Sequence, residues 1–210
     1  MVRENRLVKQ SVAFDTTGLR SAFVDELVLI AMRRDIPTSL LPSVADSRLM
    51  VQQLGEQTAI LDCCAGIGGF SMGVAAATGA SVPLAVENDA DIGALYAKLH
   101  PASTVVSEGA AYAAKNWQML KRRLHLETKK WVILQAGVPC QPFSRLNRCP
   151  KVDDPRLGII FEVLSLLQVS GATHLLIECV DGMVYHRNTH ADGGSGDVLK
   201  LALRALTDLG

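Results

Sequence analysis

The chain has 210 residues, 21 Lys+Arg balanced by 21 Asp+Glu, with 49% apolar and 20% charged residues, a mixture that excludes a disordered or low-complexity chain and suits one domain with its own core. The longest apolar run, Leu27 to Met32, is six residues, too short to span a bilayer, and the polar, basic Met1 to Gln10 segment lacks a secretory-signal pattern. Zero net charge argues against global attraction to nucleic acid, though not against a local basic patch.

Residues 20–34 carry Phe23, Leu27, Ile30 and Ala31 at helical spacing until Ile36-Pro37 breaks the pattern. Residues 44–54 read as a second short helix between Pro42 and Gly55. Residues 1–57 are therefore expected to form a helical N-terminal extension that packs and carries no chemistry. From Thr58 onward, short apolar runs alternate with amphipathic segments. The strands expected are 59–63, 82–86, 104–106, 131–135 and 174–178; the helices are 70–78, 90–100, 111–126, 156–169 and 196–209. Strands separated by helices imply parallel crossovers, hence an α/β, doubly wound, mostly parallel sheet with helices on both faces.

The cysteines, Cys63, Cys64, Cys140, Cys149 and Cys179, are odd in number, include a vicinal pair and never form CxxC. No disulfide framework or zinc site is suggested, which favours a reducing intracellular compartment: the nucleus in a eukaryote, the cytoplasm or nucleoid in a bacterium. His186 and His190 stand four apart in a Gly/Asp-rich loop without helical pattern, and no metal site is expected there.

Three places carry chemistry. After the first strand comes Asp62-Cys63-Cys64-Ala65-Gly66-Ile67-Gly68-Gly69-Phe70, a glycine turn opening a helix, where backbone can approach a ligand closely. The second strand ends at Glu87, nineteen residues after Gly68, where a carboxylate can accept from both ribose hydroxyls. Position 71 is serine rather than the third glycine of the dinucleotide fingerprint, and Asp62 before the turn suits a nucleoside without pyrophosphate. A merely tight turn is the plainer alternative; Glu87 at this distance makes a nucleoside site the better reading.

The fourth strand runs into Gly137-Val138-Pro139-Cys140-Gln141-Pro142-Phe143-Ser144, a stiff loop holding a cysteine between prolines. In a doubly wound sheet the first and fourth strands are neighbours at the switch point, so this loop should face the glycine turn. Arg145, Arg148, Lys151 and Arg156 nearby would favour a thiolate and could meet phosphates. Cys64, Cys149 and Cys179 read instead as inert packing thiols. The fifth strand ends in Glu178, a carboxyl expected in a desolvated position where it can hold a proton, or else a cap for the following turn. Lys115 to Lys130 holds six basic residues against Glu127 alone and reads as a solvated helix face.

In order and spacing, three blocks resemble the cytosine-C5 DNA methyltransferase family: Asp62 to Phe70, Gly137 to Ser144, and Glu178-Cys179-Val180. Weaker support comes from Val86-Glu87-Asn88-Asp89 with Tyr96 and His100-Pro101, and from Asp154-Pro155-Arg156 with Phe161-Glu162. The resemblance covers residues 58–210, which it implies to be the N-terminal part of a Rossmann-like S-adenosylmethionine-dependent catalytic domain. It implies transfer of a methyl group to C5 of cytosine in DNA through a covalent cysteine–C6 intermediate. Cys140 would be the nucleophile and Glu178 the acid at N3. Asp62, Cys64, Gly66, Gly68, Gly69, Glu87 and Asn88 would hold S-adenosylmethionine; Pro139, Gln141, Ser144 and Arg145 would meet the substrate. The base would have to be flipped out of the duplex.

The pattern is departed from in several places. Cys64 stands where the family has an aromatic, Ala110 where it has an aspartate near adenine, and Cys179 where it has the asparagine that braces the Pro-Cys loop. The family's Arg-rich block, target-recognition region and last cofactor motif have no counterpart, so the domain is expected to be C-terminally incomplete. Transfer RNA as substrate, a non-catalytic methyltransferase-like binding module and, third, a dehydrogenase are the alternatives.

Overall fold

The computed structural model describes residues 52–144, 147, 154–185 and 197–209. The helix expected over 20–34 lies outside them, as does most of that over 44–54; residues 52–56 are helical. The elements that follow are β1 (Thr58–Cys63), α1 (Gly69–Thr78), β2 (Ser81–Val86), α2 (Ala90–Leu99), β3 (Thr104–Val106), α3 (Ala110–Lys115), α4 (Trp117–Leu124), β4 (Trp131–Gly137), α5 (Ile159–Ser170), β5 (His174–Glu178), α6 (Gly182–Tyr185) and α7 (Asp197–Leu209).

The five strands form one sheet in the order β3-β2-β1-β4-β5, every neighbouring pair parallel. All six residues of β1 are buried, as a central strand covered on both faces requires. On one face, Ala59, Leu61 and Cys63 of β1 and Val132, Leu134 and Ala136 of β4 pack against Ala113, Trp117, Leu120 and Leu124 of α3 and α4 and Val163 and Leu166 of α5. Tyr96 of α2 packs with Ala65 and Ala85 in a separate buried cluster. A third cluster gathers Phe143 with residues of α5, α6 and α7.

The sequence foresees these elements, α6 excepted and shifts of a residue or so at element ends aside, with three differences. The helix expected over 111–126 is two helices, interrupted at Asn116. The Asn116 Nδ2 donates to Tyr112 O, a local bond that competes with continued helix. The start expected at Arg156 is a 3-10 turn, Pro155–Gly158, capped by Asp154, whose carboxylate accepts from Arg156 N. β4 continues to Gly137, two residues past the expected end.

A fourth difference bears on chemistry. β5 is one of the two edge strands among the described residues, its residues alternate between exposed and half-buried, and Glu178 is exposed. The desolvated carboxyl expected there is not found: a strand with one hydrogen-bonded neighbour leaves its tip open to water. No helix among the described residues is long and apolar enough to cross a membrane.

Leu61 is fully buried in the central strand. Leu61→Ala should lower the unfolding free energy by about 2–5 kcal/mol, read as an earlier denaturant midpoint at unchanged slope.

Candidate functional site

The sheet order reverses between β1 and β4, and a crevice opens where the carboxyl ends of adjacent strands send their connections to opposite sides. Thr58↔Trp131 through Cys63↔Ala136 pair in unbroken register, so the glycine turn after β1 and the Pro-Cys loop after β4 leave the sheet side by side. Between them lies a cavity of about 360 Å³, lined by Cys64, Glu87 and Asn88 on one side and by Gly137, Pro139 and Gln141 on the other. Cys63, Ala110, Arg156 and Glu162 also line it.

The turn is built by its own hydrogen bonds. Ala65 N donates to Val86 O (3.1 Å), Gly68 N to Ala65 O (2.9 Å) and Met72 N to Gly68 O (2.8 Å). Gly66 and Gly68 take positive φ, and a Cβ on Gly68 would lie 2.9 Å from Tyr96 Cε2. Tyr96 and His100 brace the turn from beneath, His100 Nε2 lying 3.1 Å from Ile67 O. Glu87 ties turn to second strand: its Oε2 accepts from Gly66 N at 2.8 Å and its Oε1 from Asp89 N at 3.0 Å. Each oxygen keeps a lone pair for a further donor. Gly69 opens α1.

Cys64 also has positive φ, 55°, uncommon for a residue with a side chain. The hydrogen bond between the two thiols, together with burial of Cys63, pushes Cys63 well above the usual thiol value. The same bond holds Cys64 below it, against the opposing effect of burial. Both residues line the crevice, and Cys64 is the more exposed of the two.

Asp62 is not in the lining. It is buried, 1% exposed, with its Oδ1 accepting from Gln135 Nε2 at 3.1 Å. The expectation that it meets a ligand gives way to a packing position, because period-2 alternation turns its side chain away from Cys63.

On the other wall, Cys140 is exposed and does not itself line the cavity, although its chain neighbours Pro139 and Gln141 do. Its carbonyl accepts from Phe143 N (3.0 Å) and Ser144 N (2.9 Å), closing the loop on itself. Gly137 is the register partner of Glu178, and a Cβ there would lie 3.8 Å from Glu178 Oε2, so that carboxylate leans over the end of β4. Arg145, Arg148, Cys149, Lys151, His186 and His190 lie outside the described residues. Arg156 lines the crevice, but its Nε and Nη2 fork onto Asp154 at 2.9 and 2.6 Å, which holds the guanidinium charged and its charge matched.

A family model described as C-5 cytosine-specific DNA methylase matches residues 58–210. The chain belongs to this family. It is 28% identical over 155 residues to the type II methyltransferase M.HgiBI of Herpetosiphon aurantiacus, covering 74% of this chain and 31% of the relative. Over 79 residues it is 32% identical to M.MspI of Moraxella sp, covering 37% of this chain and 17% of that protein. A prophage-encoded E. coli protein described as a DNA modification methyltransferase superposes with a TM-score of 0.54 at 24% identity, over 72% of this chain and 38% of that one. The fold is thus that of Rossmann-like methyltransferases, and the chain spans about a third of the length of curated relatives such as M.HgiBI.

Within this methylase fold, backbone contacts hold the Pro-Cys loop to the turn after β5. Val138 N donates to Glu178 O at 3.2 Å, and Gly182 sits directly against the Phe143 carbonyl, so closely that a Cβ would overlap it. Burial pushes the Cys179 thiol up, as suits an inert packing group. Glu162, on α5, caps α3 by accepting from Ala111 N at 3.4 Å, beside the small Ala110. Sequence reasoning missed Gln135, Gly182 and Glu162 in these roles; Gly182, just past the Glu-Cys-Val block, and Glu162, in the Phe161-Glu162 pair, offered a signal.

Two outcomes follow. Gly182→Ala should displace Phe143 and cost about 1–3 kcal/mol, read as a lowered Tm. At neutral pH, iodoacetamide should alkylate Cys64 well before Cys63, read by peptide mass spectrometry, with the Cys64 rate levelling off at lower pH than for an ordinary thiol.

Proposed function

We propose that this chain supplies the cofactor-binding and nucleophile-bearing part of an enzyme that methylates C5 of cytosine in DNA, with S-adenosylmethionine as donor. The observation that carries the reading is the single crevice shared by Cys64 and Glu87, which holds the glycine turn through Gly66 N, on one wall and by Pro139 and Gln141 on the other. Family membership supports the reaction class, and DNA is favoured over transfer RNA by the names of the relatives.

The residues fit the cofactor. A cavity of about 360 Å³ is the size of a small-molecule site, and Glu87, Asn88 and Gln141 give it polar groups to orient a ligand. Glu87 retains acceptor capacity on both oxygens for a ribose diol, and Gly109 adds no side chain to the wall. Cys64 and Ala110 leave room where bulkier groups would grip the nucleoside. When bound, S-adenosylmethionine supplies an electrophilic methyl group.

Cytosine C5 is a poor nucleophile, and the chain's residues address that. The Cys140 thiolate, presented at the rim by two flanking prolines, adds to C6 and pushes electron density to C5 and N3. Glu178, protonated, donates to N3 as negative charge builds there, a role typically worth about 10²–10⁴-fold. The Pro139 carbonyl accepts from the exocyclic amine, and Gln141, Ser144 and Arg145 are the adjoining substrate contacts. Loss of the C5 proton after methylation expels the Cys140 sulfur and restores the ring. C6 is inaccessible inside a duplex, so the target base is flipped out.

Duplex DNA carrying 5-fluorocytosine replaces the departing C5 proton with fluorine and should trap the enzyme covalently in the presence of cofactor. Cys140→Ser should abolish the trapped band on a denaturing gel, and Glu178→Gln should slow trapping by about 10²-fold or more. Absence of trapping in the wild type, supplied with the complementing part of the domain, would instead favour a non-catalytic binding module. Calorimetric titration with S-adenosylmethionine should show binding that Glu87→Ala weakens at least tenfold.

A further inference from the structure

Behind the crevice, two polar side chains are buried with an unmet need. Asp62 and Gln135 are register partners on β1 and β4, 1% and 0% exposed, so their side chains leave the sheet on the same face. Gln135 Nε2 donates to Asp62 Oδ1 at 3.1 Å. Asp62 Oδ2 and Gln135 Oε1 are both buried without a hydrogen-bond partner among the described residues. With an ionised Asp62 these two oxygens are acceptors and neither can satisfy the other. One proton on Oδ2 resolves both at once: a carboxylic acid and a primary amide are complementary, each giving one donor and one acceptor.

We propose that Asp62 is a neutral carboxylic acid in the folded protein, joined to Gln135 by two hydrogen bonds in an acid–amide ring that clamps the ends of β1 and β4. The two strand ends carry the glycine turn and the Pro-Cys loop, so Asp62 and Gln135 are positioning residues for both walls of the crevice. Neither touches a ligand.

The surroundings bear this out. Burial pushes the Asp62 carboxyl above its ordinary value, against the opposing pull of Ser71, Gln135, His100 and Tyr96. The titratable groups that face it are Tyr96 and His100 from α2 and, at its own strand end, the thiols of Cys63 and Cys64. The Ser71 hydroxyl is the only other polar neighbour from α1; its Oγ lies 3.2 Å from Gly68 O and 3.3 Å from the Tyr96 hydroxyl, within a chain that leads back to the glycine turn. Gln135 is dictated by neither strand propensity nor core packing, since β4 is otherwise apolar from Trp131 to Leu134.

The test uses the full chain. Asparagine in place of Asp62 presents the same donor–acceptor pair as the neutral acid, so Asp62→Asn should fold and match the wild-type Tm at acidic pH. A raised folded-state value means that the stability from Asp62 is full below the unfolded value, near 3.8, and is lost as pH rises toward the folded one. The Asn variant should therefore become progressively the more stable as pH rises, while Gln135→Leu, which leaves the acid unpaired, should lower the Tm throughout. In wild-type protein labelled with ¹³C at aspartate carboxyls, one resonance should keep its protonated chemical shift at neutral pH and be absent from Asp62→Asn. The labelled wild type alone decides the matter if that variant fails to fold. A Tm difference that does not vary with pH, or no protonated aspartate at neutral pH, would overturn the proposal and leave an ionised Asp62 fed by the Ser71 and Tyr96 hydroxyls.

Discussion

The site depends on one pairing, that of β1 with β4. Six consecutive residues of each strand lie in unbroken parallel register, and the β1 member is buried along its whole length. A parallel pair of this kind cannot be joined by a tight turn; its connections must cross the sheet, and here they leave the two strand ends in opposite directions. That divergence makes the crevice. Every group with a proposed chemical role is carried on one of these two strands or a strand directly adjoining them, or on the loop that leaves it.

What keeps the crevice in shape is mostly backbone. The glycine turn is held by amide-to-carbonyl bonds and by Glu87, which accepts from Gly66 N and Asp89 N. Side chains beneath it, Tyr96 and His100, fill the space that a Cβ on Gly68 would need. On the opposite wall, the Cys140 carbonyl closes the Pro-Cys loop, and Gly182 lets Phe143 settle against the turn after β5. Rigid walls of this sort hold a reacting centre without side chains having to reorganise when a ligand arrives.

The β5 side is different in character. Glu178 and Leu176 are exposed, and so are Val184, Tyr185, Leu201 and Leu203 on the helices beyond. Parallel sheets are ordinarily covered on both faces, and apolar side chains in such numbers mark a surface that water does not favour.

The amino-acid sequence alone determined the order and kind of the elements, because apolar runs such as Ala59–Cys63 and Trp131–Gln135 and the amphipathic segments between them are local patterns with local causes. It also determined the chemistry-bearing loops: Gly66-Ile67-Gly68-Gly69 and Pro139-Cys140-Gln141-Pro142 are contiguous, and their residue types have few other uses. The break at Asn116 was missed because a side-chain bond to Tyr112 outweighed an unbroken helical pattern. Only the tertiary structure decided matters that turn on which strands lie side by side. Asp62 faces Gln135 instead of the crevice, seventy-three residues away in the chain but directly across one rung of the sheet. Glu178 meets water because β5 has a single hydrogen-bonded neighbour among the described residues. Burial and long-range partners are properties of the assembled sheet, and no window of sequence contains them.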